Sequence, residues 1–210
     1  MKKLILKSVL FVFFISITYH SFSQPIPVEL MTGNRYATIN VVVDKKFTQS
    51  SKLGFFHINT IQVDYKNKLN NDFMMEDLLY FEPVKHFRLT GGAFYGQPGF
   101  IPTVGLQYVR AGKDLFMIIA PRVNLQKNLE YDIVSIFQYN PELNEKIKLY
   151  SRLQFLNIFD SSSNIKSYQW IRLGLEIDGI QFGLAADFDE YGPHPKVQYN
   201  LGLFIRREIF

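Results

Sequence analysis

Cysteine is absent from the 210 residues. That excludes a disulfide framework, cysteine-ligated zinc, an iron–sulfur cluster and a cysteine nucleophile. Long apolar runs are also missing once the first 23 residues are set aside. The longest strictly apolar stretch beyond them is Leu115 to Ala120, far short of the ~20 residues of a membrane-spanning helix. Helical periodicity is weak throughout, and there is no linker, low-complexity tract or sign of a second domain. No glycine-rich phosphate loop lies between a strand and a helix. Disorder is excluded from the other side, because 20 Phe and 12 Tyr carry too much apolar area.

An excess of one charge is lacking too, although the formal net charge of +4 suggests otherwise. Residues 1–23 read as a cleaved secretory signal peptide: Lys2 and Lys3 open it, Leu4 to Tyr19 is apolar apart from Lys7 and a few hydroxyls, and Ser21-Phe22-Ser23 places small residues before Gln24. An N-terminal membrane anchor is the rival reading. Removing the segment takes Lys2, Lys3 and Lys7 from the 23 basic residues and leaves 20 against 19 acidic ones, a net of +1. The basicity therefore belongs to targeting and argues against a nucleic-acid partner. Residues 24–210 form one domain.

What is present is a period of two. Ile180, Phe182, Leu184, Ala186 and Phe188 alternate with Gln181, Gly183, Ala185, Asp187 and Asp189. Ile171, Leu173, Leu175 and Ile177 alternate with Trp170, Arg172, Gly174 and Glu176, and Asp178-Gly179 between these segments is a tight-hairpin signal. Lys146 to Phe155 and Leu115 to Asn124 repeat the pattern. Strands are expected at about 27–32, 35–45, 54–65, 72–82, 86–96, 101–111, 114–124, 130–140, 146–157, 166–177, 180–189 and 197–209, twelve in all. Ten result if Phe73 to Phe81, with Glu76 and Asp77, is a loop instead. The connections are short, so no long plugging loop or external domain is available.

Alternation fits a soluble sandwich with one wet face and a transmembrane barrel with one lipid face equally well. Export without cysteine favours the barrel, which closes its backbone hydrogen bonds between strands. So do aromatics at segment ends, such as Phe55, Tyr65, Phe81, Phe87, Tyr95, Tyr108, Tyr131, Tyr139 and Tyr199, which suit interfacial girdles. The last segment, Tyr199 to Phe210, combines Gly202, Leu203 and Ile205 with a terminal Phe210.

On these residues the chain resembles the outer-membrane β-barrel proteins of Gram-negative bacteria, in particular small porin-like barrels of Bacteroidetes type. The resemblance implies an all-β, transmembrane, antiparallel up-and-down barrel in the outer membrane, with lipids and lipopolysaccharide as surroundings. It also implies that Gly202, Leu203, Ile205 and Phe210 are read by the barrel-insertion machinery. Arg206, Arg207 and Glu208 depart from the pattern. No cofactor or metal is implied.

The polar partners of the alternation are the candidate lumen residues: Arg88, Gln107, Arg122, Lys148, Arg152, Gln154, Arg172, Glu176, Gln181, Asp187 and Asp189. Thr90 and Gln138 join them. Arg122, Arg152 and Arg172 would form a basic face opposite Glu176, Asp187 and Asp189, a constriction that selects solutes. The plainer reading is an interior ladder of ion pairs that fills a narrow barrel. His57 is the one histidine suited to lipid hydrolysis on an outer wall, but it lacks a convincing serine neighbour. His86 lies in a turn. His194, near Asp187, Asp189 and Glu190, reads as part of a solvated loop more readily than as a cation or lipopolysaccharide site. Three functions follow in order: a non-enzymatic passive pore for ions or small solutes, a closed structural or surface-interaction barrel, and an outer-membrane lipid enzyme.

Overall fold

Twelve antiparallel strands close into one barrel in the computed structural model, which describes residues 26–97, 99–192 and 197–209. They are β1 (Ile26–Gly33), β2 (Tyr36–Lys46), β3 (Leu53–Asp64), β4 (Asp72–Val84), β5 (Phe87–Gly96), β6 (Gly99–Ala111), β7 (Leu115–Asn124), β8 (Glu130–Tyr139), β9 (Ile147–Phe159), β10 (Asn164–Ile177), β11 (Ile180–Tyr191) and β12 (Gln198–Ile209). Each strand pairs with its neighbour in sequence. The seam is the β1–β12 pair, which runs from Ile26↔Ile209 to Gly33↔Gly202. The barrel therefore has no free edge. The signal segment 1–23, His194 and Phe210 lie outside the described residues.

The twelve-strand expectation holds and the ten-strand alternative does not. Asp72–Val84 is a full strand, paired with β3 on one side and β5 on the other. Glu76 and Asp77 made it look like a loop because two adjacent acids break an alternation. In the barrel they point to opposite faces, with Glu76 buried inside and Asp77 on the outer wall. A second irregularity lies in β10, where the register against β9 shifts between Asn164 and Lys166.

Tight turns set the register at the rim that carries Ile26 and Ile209, here termed the terminal rim. Asp178 and Gly179 both have positive φ (50° and 75°), which is the geometry of a two-residue hairpin matched to strand twist. At the opposite, distal rim the longer connections include a short 3-10 turn, Lys68–Asn70. Glycine matters most where β10 meets β11. Gly174 and Gly183 face each other across the ladder, and a Cβ on either would lie 2.0–2.3 Å from a neighbouring strand's carbonyl oxygen.

The two faces differ in chemistry. The outward face is apolar: Phe100, Leu173, Leu184 and Leu203 are all more than half exposed. Aromatics cap this belt, with Tyr95, Tyr131, Phe159 and Tyr199 towards the distal rim and Phe81, Phe87 and Tyr139 towards the terminal rim. This is the surface of a barrel whose solvent is lipid. Among the described residues no helix is long and apolar enough to cross a membrane. The aromatic clusters divide between the faces. Phe56, Tyr80 and Tyr168 turn inward and join an interior apolar cluster with Ile58, Leu78, Ile118, Ile136, Leu156 and Trp170.

Candidate functional site: the barrel lumen

The lumen is built by the inward half of every strand, and it has two unlike sides. The walls from β2 to β10 contribute the apolar cluster. The walls from β9 round to β1 contribute most of the ionisable groups. All eleven sequence-selected lumen residues project into this interior. Most are buried there, while Lys148 keeps 43% of its side chain exposed.

Along the polar side the contacts fall into successive groups from rim to rim. At the distal end Lys166 of β10 pairs with Asp72 of β4. These strands stand six places apart in a ring of twelve, so the pair joins opposite walls. Lys166 points inward by the same alternation as Tyr168, Trp170 and Arg172, at the level of Ile158. Below it, Asp189 accepts hydrogen bonds from the Tyr36 hydroxyl (2.5 Å) and Trp170 Nε1 (3.3 Å). Tyr168 stacks on Trp170 at 4.3 Å.

In mid-barrel Arg172 donates to Asp187 (2.5 Å) and Glu29 (2.8 Å). Glu29 also lies 3.6 Å from Arg152. Arg152 donates to Gln154 (2.5 Å), and Gln154 donates to the Tyr168 hydroxyl (2.9 Å). Towards the terminal rim Arg206 donates to Gln181, Gln181 donates to Glu176 (2.7 Å), and Lys148 stands 3.8 Å from Glu176.

Two further clusters lie against the apolar side. Arg122 of β7 is held by Glu76 of β4 and by Asp132 of β8 (Nε to Oδ1 2.6 Å). Arg88 donates to Asp44 and to Gln107, each at 3.0 Å, and lies over the Tyr80 ring at 3.8 Å.

This arrangement corrects the expectation of a basic face set against a separate acidic one. Arg122 and Arg172 each contact two carboxylates and Arg152 shares Glu29 with Arg172, so positive and negative groups interleave. The physical reason is burial: an unpaired charge away from water is costly, and alternate signs remove that cost locally. Sequence reasoning missed the partners Glu29, Asp44, Asp72, Glu76, Asp132 and Lys166. For Asp132 a usable signal was present, since it sits between Tyr131 and Ile133 in an alternating run.

The free space follows the same division. A distal vestibule of about 410 Å³ is bordered by Tyr36, Gln62, Asp72, Lys166, Asp189 and Tyr191. A terminal vestibule of about 230 Å³ is bordered by Asp44, Phe116, Gln138, Arg152, Arg206 and Glu208. Beneath the distal vestibule, and sharing Met74, Phe94 and Ile158 with it, the space narrows to a cavity of about 20 Å³ beside Arg122 and Tyr168. Among the described residues, side chains and no inserted loop close the middle. At the distal rim hydrogen bonds from the Ser162 side chain and from the Ser162 and Ser163 amides hold the Asp160 carboxyl below the usual carboxylate range.

His57 faces outward on β3, not into the lumen. Its Nδ1 lies 2.9 Å from Asp77 Oδ1. The outward positions around it are Val41, Val43, Phe55, Asn59, Met75 and Leu79, and none carries a hydroxyl. Among the described residues, no group of three or more His, Asp or Glu side chains is placed to hold a metal ion.

No protein-family model matches the chain, and no curated protein matches its sequence. Solved structures do share the fold. One is a NanC porin, at 12% identity over 90% of this chain and 100% of the other, with a TM-score of 0.50. Another is a KdgM porin in complex with disordered oligogalacturonate, at 8% identity over 89% and 100%, also with a TM-score of 0.50. The fold of this chain is that of outer-membrane porin barrels.

Proposed function

We propose that this protein is a non-enzymatic outer-membrane barrel acting as a narrow passive pore for ions and small solutes. The observation that carries the reading is the succession of ionisable and amide side chains from Lys166 and Asp72 to Arg206 and Glu176, lying between two vestibules. The porin fold and the apolar outer wall support it. Only side chains occupy the constriction, and side chains rearrange on fast timescales without breaking a backbone ladder. Several enclosed polar atoms, including Thr90 Oγ1, Gln107 Nε2 and Asp187 Oδ2, have no protein hydrogen-bond partner, and such atoms are the sites water occupies. Interleaved charge gives such a path weak preference between cations and anions, and its bore admits small solutes only.

The test is flux from vesicles. Purified protein folded into lipid vesicles is expected to dissipate a potassium chloride gradient while retaining a trapped disaccharide. Folded, inserted barrels that retain both would overturn the pore.

A second reading has its own observation. The buried mid-barrel cluster around Ile118, Ile136, Tyr168 and Trp170 suits a permanently closed barrel whose loops engage other surface components. Retention of both ions and sugar is the outcome it expects.

A further inference from the structure

The outer wall carries one feature that a lipid-facing surface does not explain. Outward-pointing charged side chains elsewhere among the described residues lie within two positions of a strand end: Lys45 on β2, Arg110 on β6, Glu190 on β11 and Arg207 on β12. There they reach the headgroups. Asp77 does not. It is five residues from one end of β4 and seven from the other, between Met75 and Leu79. His57 lies directly across from it on β3, and Asn59 follows on the same face. Phe55 and Ile61 bracket these two polar residues along the strand.

This is an acid–base pair in the middle of the hydrocarbon belt, where a charge is expensive and bilayer chains offer no partner. Their mutual contact leaves it only partly covered, because 47% of the Asp77 side chain stays exposed. The next strand explains that exposure. Ala93 stands opposite Asp77, and Gly91 follows opposite Leu79. A Cβ built on Gly91 meets nothing within 4 Å. The convex wall therefore has a flat, side-chain-poor strip beside the carboxylate.

We propose that this patch of β3, β4 and β5 is the contact face between two copies of the chain in the membrane. The inference rests on the reading that the outer wall meets lipid, but not on whether the lumen conducts. Its argument is charge complementarity. His57 and Asp77 occupy paired positions on adjacent strands. A two-fold rotation about the membrane normal therefore brings the partner's His57 to Asp77 and the partner's Asp77 to His57. Such an isologous contact needs one patch that is its own complement, and a neutral acid–base pair meets that condition. The strip at Gly91 and Ala93 lets the two walls approach closely, and the ion pairs exchanged across the contact are removed from lipid.

The absence of cysteine makes the test clean. Ala93→Cys and, on the opposite wall, Leu184→Cys each introduce the molecule's single thiol. The two-fold leaves the two Ala93 positions about three strand spacings, roughly 15 Å, apart, so cross-linking in native outer membranes with a bifunctional thiol reagent of about that span is expected to give a covalent dimer with Ala93→Cys and monomer with Leu184→Cys. In the Ala93→Cys background, His57→Asp should lower the dimer yield about tenfold, because like charges then face each other. The exchange His57→Asp with Asp77→His should restore it. Asp77→Asn, nearly isosteric, gives the same comparison if His57→Asp does not fold, and a heat-dependent gel shift reports folding for every variant. Monomer with Ala93→Cys in folded protein, or equal cross-linking at both positions, would overturn the proposal. So would a dimer yield insensitive to His57 and Asp77, or an adduct whose mass is not twice that of the chain. Insertion of the Leu184→Cys barrel, read by lipid-side labelling, separates failure of the dimer from failure of the membrane reading.

Discussion

Glu29 holds two guanidinium groups at once, Arg172 at 2.8 Å and Arg152 at 3.6 Å, from a strand on the far side of the seam. Removing its charge leaves two buried cations with fewer counter-charges. Breaking such an arrangement costs far more than forming it gains, and Glu29→Gln is expected to destabilise the barrel by about 3 kcal/mol. Urea unfolding in detergent micelles measures this. Lys113→Ala is the control, because its exposed pair with Glu142 at 3.0 Å should contribute nothing measurable. At this scale the sequence was half legible. Alternation alone turns Arg122, Arg152 and Arg172 inward, because the neighbours on either side are apolar apart from Ser151. It carries no information about which residue waits across the lumen. Glu29 sits in a strand too short to show a period, and Lys166 stands at the very start of its expected strand, where alternation has least support.

Strands β10 and β11 are held together where no side chain intervenes. Gly174 and Gly183 allow the ladder to curl inward, and any Cβ there meets the carbonyl of Phe182 or Leu173. Gly174→Val should therefore force the two strands apart and destabilise the barrel by about 3 kcal/mol, the upper range for overpacking. In the turn after β6, Gly112→Ala meets only Leu115 O at 3.5 Å and is expected to be neutral. The heat-dependent gel shift ranks the two variants. Elements were the most legible level, because each strand repeats its two-faced pattern over ten or so residues. The places that resisted reading are those where the outward face is polar. His57, Asn59 and Asp77 break the pattern on β3 and β4, and this is the same patch that calls for a partner in the membrane.

For the whole molecule the central claim is that side chains alone close a lumen that the backbone leaves wide. Whether that lumen is open was not legible, because the period of two gives the facing of each residue and not the distance across the ring. The closure depends on contacts such as Lys166 with Asp72, which are far apart in the chain, and on the stack of Tyr168 with Trp170, successive inward positions on β10. The most direct measurement is the current through single molecules in a planar bilayer, for the natural chain and for Lys166→Ala combined with Trp170→Ala. The natural chain should give small discrete steps with little ion preference, and the double variant should give steps several-fold larger. A double variant that is folded and inserted but conducts no more than the natural chain would contradict the account, and so would a natural chain that already conducts like a fully open barrel.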